Sequence, residues 1–278
     1  MDATTVPTEG RTWLMTTGLA VTSSSVGLDV VHRYRENGYV HIPQVLSPDE
    51  VTVYREAARE AYETRTAYNG EDDKTFKQIL QLWRTDETLR QLTFHTGLAT
   101  IATQLAGVPL RLWHDQLLIK PPHNGAATEY HQDGPYWPHA GARHQLSAWI
   151  ALVDVPVERG CMSFIPGTHR ITDIRAVDLH SRTDFFEAAP DVTFLPRVTV
   201  PLRAGDCTFH HAYLAHTANP NDTDEFRYAF VNIYVDAELT YNGRPHPCTD
   251  DLGLEVGSLL PDEEFPRLPR PAAGNGGT

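Results

Sequence analysis

The sequence predicts an α+β chain with a mainly β core, its helices first and its antiparallel strands after. Apolar residues recur at helical spacing up to about residue 105, and from Leu110 the period shortens to two. Short β-branched and aromatic runs follow, separated by Gly, Pro, Asn and Asp. A jelly roll or barrel with helices packed outside it fits this order.

The elements follow in turn. Val30, Tyr34 and Tyr39 lead into a short strand at 39–46. Ser47 then precedes Pro48, Asp49 and Glu50, an N-cap followed by proline in the first helical position and acids in the first turn. Val51, Tyr54, Ala58 and Ala61 extend that helix as one apolar stripe. Two more helices are expected at 86–95 and 98–105, the second stopped by Gly107 and Pro109. Strand runs are expected at 110–120, 144–155, 192–202, 206–217 and 226–236.

The 278 residues suffice for one large domain, expected at 27–264. Residues 1–26, rich in Thr, Ser and Gly, read as a flexible tail, and 265–278, rich in Pro and Gly, as a disordered one. A net charge of −13 with scattered basic residues disfavours nucleic acid and anionic membrane surfaces as partners. Only three basic residues are lysines, an arginine bias that fits a GC-rich genome. Cys161, Cys207 and Cys248 are odd in number and far apart, as reduced thiols of a cytoplasmic protein are. No run reaches the roughly 18 apolar residues of a membrane helix. The stretch from Trp13 to Leu28 fails as a signal core, because Asp2 and Glu9 stand where a basic segment belongs. Met15 offers an alternative start.

Two segments carry chemistry. His131 and Asp133 on one strand share a face and supply two thirds of the two-His-one-carboxylate set that leaves Fe(II) positions open. Alone the pair is weak, since a hydrogen-bonded His and Asp in a polar turn look the same. The second segment holds His210, His211 and His216 before the turn residues Asn219 to Asp222. A hairpin centred between Asn221 and Asp222 sets His216 opposite Arg227, which favours His216. Arg227 can grip a carboxylate with two hydrogen bonds, as a site for a dicarboxylate cosubstrate needs.

His131-Gln132-Asp133, the run from Cys161 to His169, Gly205-Asp206, His216, Asn219-Pro220-Asn221 and Arg227 together resemble the phytanoyl-CoA dioxygenase (PhyH) family. The similarity runs from about Tyr34 to Asp236. It implies a double-stranded β-helix, cupin-like, and an oxygenase using Fe(II), 2-oxoglutarate and O2, with succinate and CO2 released. It implies that His131, Asp133 and His216 are the catalytic iron ligands and that Arg227 binds the far carboxylate of 2-oxoglutarate. Trp149, Gln116 and Lys77 fall where relatives contact the cosubstrate. Where the family often has Ser, two residues after the second histidine, this chain has Ala218; either Thr217 supplies the hydroxyl or the contact is lost. Asp133 itself favours hydroxylation over halogenation, because halogenating members carry a small residue there.

The loop 134–141 follows Asp133 directly, and Tyr136, Trp137 and His139 in it, with Trp113, are candidate substrate contacts. His114 and Tyr241 are further lining candidates. His169 and Arg170 close a Pro-Gly-Thr-His turn, in a structural role or as a substrate contact, and His144 is expected to be solvated. A small organic molecule of a bacterial natural-product pathway is the expected substrate. The other readings are a lipid or acyl-CoA hydroxylase, a zinc hydrolase, and a ligand-binding jelly roll without turnover. Oligomeric state leaves no sequence signal.

Overall fold

The computed structural model describes residues 25–70 and 73–269. Residues 1–24 and 270–278, most of the two expected tails, lie outside the described residues. The chain opens with α1 (Leu28–Asn37), β1 (Tyr39–Ile42), α2 (Pro48–Thr64) and β2 (Lys77–Leu80). It continues through α3 (Glu87–Thr93), α4 (Thr96–Ala106), β3 (Leu110–Lys120), β4 (Thr128–His131), β5 (His139–Ala140), β6 (Gln145–Ala151) and β7 (Met162–Phe164). Then come α5 (Asp184–Ala188), β8 (Val198–Val200), β9 (Cys207–His211), β10 (His216–Ala218), β11 (Arg227–Asp236) and β12 (Thr240–Tyr241).

The helix signals act as read. Ser47 accepts from the Glu50 amide while the Glu50 side chain accepts from the Ser47 amide, a closed capping box with Pro48 inside it. Val51, Tyr54, Ala58 and Ala61 are buried along one face of α2. Asp86 caps α3, and Gly107, at φ 70, ends α4.

Two antiparallel sheets make the core, one in the order β1-β9-β6-β11-β3-β2 and one in the order β4-β10-β7-β8, and β12 pairs with β5 in a separate two-stranded ribbon. The N-terminal helices cover the outer face of the larger sheet, α4 against β6 and α2 against β11, around a core that includes Tyr34, Tyr54, Leu105, Phe209, Phe230 and Tyr234, while α5 packs on Tyr130 of β4. Strands covered by helices on one face and a second sheet on the other need apolar residues at nearly every position. That is why β6 and β11 are buried along their whole length. The inner faces of the two sheets enclose a cavity of about 360 Å³. Period two decides what enters it: Gln78 and Leu80 from β2, His114, Gln116 and Leu118 from β3, Ser147 and Trp149 from β6.

Several expectations need correction. The run 206–217 is two strands, because the chain leaves the larger sheet after His211, turns with a hydrogen bond from the Leu214 amide to the His211 carbonyl, and joins the smaller sheet at His216. It then crosses back, so the hairpin expected around Asn221 does not exist. His216 pairs with His131 and Phe164, whereas Arg227 pairs with Lys120. The run 192–202 keeps only three strand residues, since Pro190 opens a 3₁₀ turn and Pro196 lacks a ladder donor. His144 is not solvated: its Nε2 lies 2.7 Å from the Tyr34 hydroxyl, and burial pushes it down to about 4. The first residues of the expected C-terminal tail are packed. Phe265 is fully buried and stacks on Trp113 with ring centroids 4.9 Å apart, and the Leu268 amide donates to the Leu110 carbonyl.

Phe265→Ala is expected to destabilise the fold by about 3–5 kcal/mol, the usual loss for a buried aromatic. Chemical denaturation followed by tryptophan fluorescence measures it.

Candidate metal centre and cosubstrate pocket

His131 and His216 meet because they are direct cross-strand partners, the last residue of β4 and the first of β10. Their ring centroids are 4.2 Å apart. Each ring is fixed by its own strand: His131 Nδ1 donates to the Glu129 carbonyl at 2.8 Å, and His216 Nδ1 to the Leu214 carbonyl at 2.9 Å. A carbonyl only accepts, so each Nδ1 carries the proton and each Nε2 presents its lone pair to the centre. Burial, reinforced by His131, pushes His216 down to about 3, which keeps it a neutral donor.

Asp133 arrives by another route than the shared strand face. β4 has ended at His131, and Asp133 is in the right-handed helical region (φ −73, ψ −42), opening the 3₁₀ turn Gly134–Tyr136. That turn is pinned by the Gly134 amide donating to the Ala212 carbonyl. A Cβ at Gly134 would sit 2.7 Å from the Tyr213 ring, so the close approach needs glycine. Asp133 Oδ1 then lies 3.5 Å from His131 Nε2 and 3.7 Å from His216 Nε2. Its Oδ2 accepts the Ser147 hydroxyl at 3.2 Å and lies 3.6 Å from His210 Nε2. Burial opposes ionisation of Asp133, but the surrounding imidazoles of His216, His131 and His210 outweigh it and hold the carboxyl well below the usual range.

One atom from each of the three side chains falls within 4.8 Å of the others. Two neutral nitrogens and one carboxylate oxygen, all on one side, suit a divalent first-row metal and leave its other side open to the cavity. The donor set therefore fits non-haem Fe(II).

Arg227 also lines this cavity. It is buried, donates through Nη1 to the Leu118 carbonyl at 2.9 Å, and lies 5.4 Å above the Trp149 ring. Its buried Nε has no hydrogen-bond partner, and no carboxylate among the described residues pairs with the guanidinium. Burial pushes it down to about 9. Gly160, at φ 76, packs nearby: a Cβ there would crowd Lys120 Cδ at 3.0 Å and the Asn219 carbonyl oxygen at 3.1 Å, and would meet Arg227 Nε at an ordinary contact distance of 3.6 Å.

The other expected site residues divide. Trp149 and Gln116 line the cavity, and Gln116 accepts from Gln78. Lys77 does not line it; it alternates to the opposite face of β2 from Gln78 and Leu80, and its Nζ donates to the Gly70 carbonyl. Thr217 is turned aside as well, its hydroxyl donating to the Thr128 carbonyl at 2.6 Å, so that Ala218 faces the cavity. Tyr136 and Trp137 line the cavity, the Tyr136 hydroxyl tied to the Val177 carbonyl at 2.6 Å. His139 and Trp113 pack behind it, ring against ring at 4.4 Å, with His139 Nδ1 2.7 Å from Gln145 Oε1. Tyr241 is also off the lining, whereas His114 and His210 are on it. Ser147 and His246 were not singled out from the sequence. Ser147 had a signal, two residues from Trp149 on an alternating strand; His246, in a loop, had none.

The fold and the donor set define a non-haem iron oxygenase dependent on 2-oxoglutarate, and comparison with known proteins agrees. The family model of phytanoyl-CoA dioxygenase (PhyH) matches residues 34–229, and the chain belongs to that family. Among solved structures it is similar to the non-haem α-ketoglutarate-dependent carbocyclase SnoK from nogalamycin biosynthesis, with 40% identity and a TM-score of 0.79 over 88% of this chain and 97% of that one. It is also similar to the epimerase SnoN in complex with Fe3+, α-ketoglutarate and nogalamycin RO, at 36% identity and a TM-score of 0.77, covering 87% and 98% of the two chains. A probable phytanoyl-CoA dioxygenase of Caenorhabditis elegans is 27% identical over 70% of this chain, a match spanning 64% of that protein's length.

Arg227→Met is expected to weaken 2-oxoglutarate binding by about 2–5 kcal/mol, roughly 30-fold to several thousand-fold, the range for truncating one partner of a buried charge pair. Fe(II) affinity should be unchanged. Anaerobic titration calorimetry measures both.

Proposed function

We propose that the chain oxidises a C–H bond of an uncharged small organic molecule, with His131, Asp133 and His216 holding Fe(II) and Arg227 holding the far carboxylate of 2-oxoglutarate. The observation that carries this reading is Arg227. A buried guanidinium facing the same cavity as a three-donor metal set, with no carboxylate of its own, calls for an anionic ligand.

Bound there, Fe(II) with 2-oxoglutarate and O2 supplies the oxidising power for C–H cleavage, with succinate and CO2 as the co-products. The residues do the rest. Ser147 and His210 hold the second oxygen of Asp133, so the first stays aimed at the metal position. Trp149 walls the guanidinium, and Gln116 lines the cavity beside it, which fixes one orientation of the cosubstrate. Tyr136 and Trp137 border the metal side and limit water there.

The substrate class follows from the lining. Apart from Arg227 and Asp133, no described lining residue bears a formal charge at pH 7; the walls include Tyr68, Phe76, Leu80, Trp137, Leu179 and Ile233. A coenzyme A thioester or another polyanion would find no second cation there, which disfavours the acyl-CoA reading. The likeness to SnoK and SnoN supports a role in natural-product tailoring, where cyclisation and epimerisation join hydroxylation as outcomes of one C–H abstraction. Three free, buried cysteines support a reducing compartment such as the cytoplasm.

The test is turnover. Protein supplied with Fe(II), 2-oxoglutarate, O2 and a panel of neutral polycyclic compounds should release succinate in step with substrate oxidation. His216→Ala and Asp133→Ala should each abolish it and lose Fe(II). Unchanged succinate release by either variant would refute the assignment.

A further inference from the structure

The end of the cavity away from Arg227 holds polar groups that neither the metal centre nor the cosubstrate uses. His114 lies six residues along β3 from Lys120, the partner of Arg227. That is roughly 20 Å along the strand at about 3.4 Å per residue. His114 and His246 both line the cavity here, with ring centroids 5.7 Å apart.

The backbone sets their tautomers oppositely. His114 Nδ1 lies 3.0 Å from the Asp115 carbonyl oxygen, so it carries the proton, and Nε2 of the neutral ring is an acceptor. The Cys248 amide donates to His246 Nδ1 at 3.2 Å, so the proton of the neutral His246 ring sits on Nε2, a donor. Burial and the neighbouring His246 push His114 down to about 3; burial and His139 push His246 to about 4. Both rings are therefore neutral at pH 7. No hydrogen bond among the described residues reaches either Nε2.

The pair is rigid. His246 stands between Pro245 and Pro247, in a turn closed by its own amide donating to Asp250 Oδ1 at 2.8 Å and by the Thr249 amide donating to its carbonyl at 2.8 Å. Its ring packs on Trp113 at 4.9 Å. His114 is held by strand pairing to Ile233 of β11.

An acceptor beside a donor selects among ligand groups. One hydroxyl satisfies both, donating to His114 Nε2 while accepting from His246 Nε2. A carbonyl or an ether leaves the His114 lone pair unmet, and a carboxylate, with no proton to give, sets its charge against that lone pair with no cation beside it. Position adds a length. His114 pairs with Ile233, and Ile233 pairs with Ser147, whose hydroxyl bonds Asp133. Two strand spacings, roughly 10 Å, thus separate His114 from the residue beside the metal carboxylate.

We propose that His114 and His246 are the specificity-determining pair of this pocket, binding a hydroxyl of a neutral, ring-containing alcohol and so holding a more distant C–H at the metal centre. This rests on the cavity being the substrate chamber, as inferred above.

The test uses the full chain loaded anaerobically with Fe(II) and 2-oxoglutarate. Binding of neutral two- to four-ring alcohols and phenols, each paired with its methyl ether, is followed by ligand-observed NMR. At least one alcohol should bind about tenfold or more tightly than its ether, the discrimination a hydrogen-bonding site gives against an analogue that cannot donate. His114→Phe and His246→Phe should each bring such a pair to near parity with Fe(II) and 2-oxoglutarate binding intact. His246→Gln, which keeps an N–H donor, should retain the preference. Equal affinity within every pair, no binding of any alcohol at millimolar concentration, or a preference that survives both phenylalanine variants would overturn the proposal. Failure of the wild-type protein to bind Fe(II) or 2-oxoglutarate would instead overturn the functional reading, and the pair with it.

Discussion

Arg227 carries a guanidinium into the space between two sheets where no carboxylate of the described chain meets it. Burying a charge without a partner is among the most unfavourable things a fold can do, and folds keep such a group when a ligand completes it. Much of the surrounding structure serves that position. β11 begins there, and β3 runs beside it with Lys120 opposite, whose stem packs against the bare backbone of Gly160. Lys120 donates its own Nζ to the Thr75 and Ala126 carbonyls, so it ties two loops together rather than competing for the anion.

The metal set depends on the same architecture from the other side. The chain changes sheets between β9 and β10 and again between β10 and β11. The first crossing brings His216 opposite His131 in the smaller sheet; the second starts β11 in the larger sheet, with Arg227 facing the same cavity. His210, left behind in the larger sheet, reaches the other oxygen of Asp133. His210 and His216, six residues apart, thus take two different positions around one carboxylate because two sheets share them.

Much of this was legible in the sequence, for identifiable reasons. The α2 cap, the stripe Val51, Tyr54, Ala58, Ala61 and the long runs of β3 and β11 follow local rules that tertiary packing does not override. The hairpin expected between His216 and Arg227 fails because a turn signal gives the place of a reversal and not the sheet that receives the chain. Asp133 reached the site through a turn, since two-residue spacing from His131 is compatible with either geometry. The displacement of Lys77 and Thr217 from the lining is a matter of strand parity, which an error of one residue inverts. His246 and Phe265 left no signal because their neighbours, His114 and Trp113, are more than a hundred residues away in the chain.

The central claim is that one cavity holds the metal on His131, Asp133 and His216 and the cosubstrate on Arg227. A crystal structure of the protein grown without oxygen, with Fe(II) and 2-oxoglutarate, addresses it directly. The metal should be bonded to His131 Nε2, His216 Nε2 and Asp133, with the far carboxylate of 2-oxoglutarate paired to Arg227 beside Trp149. A metal held by other residues, or a 2-oxoglutarate carboxylate seated away from Arg227, would contradict it.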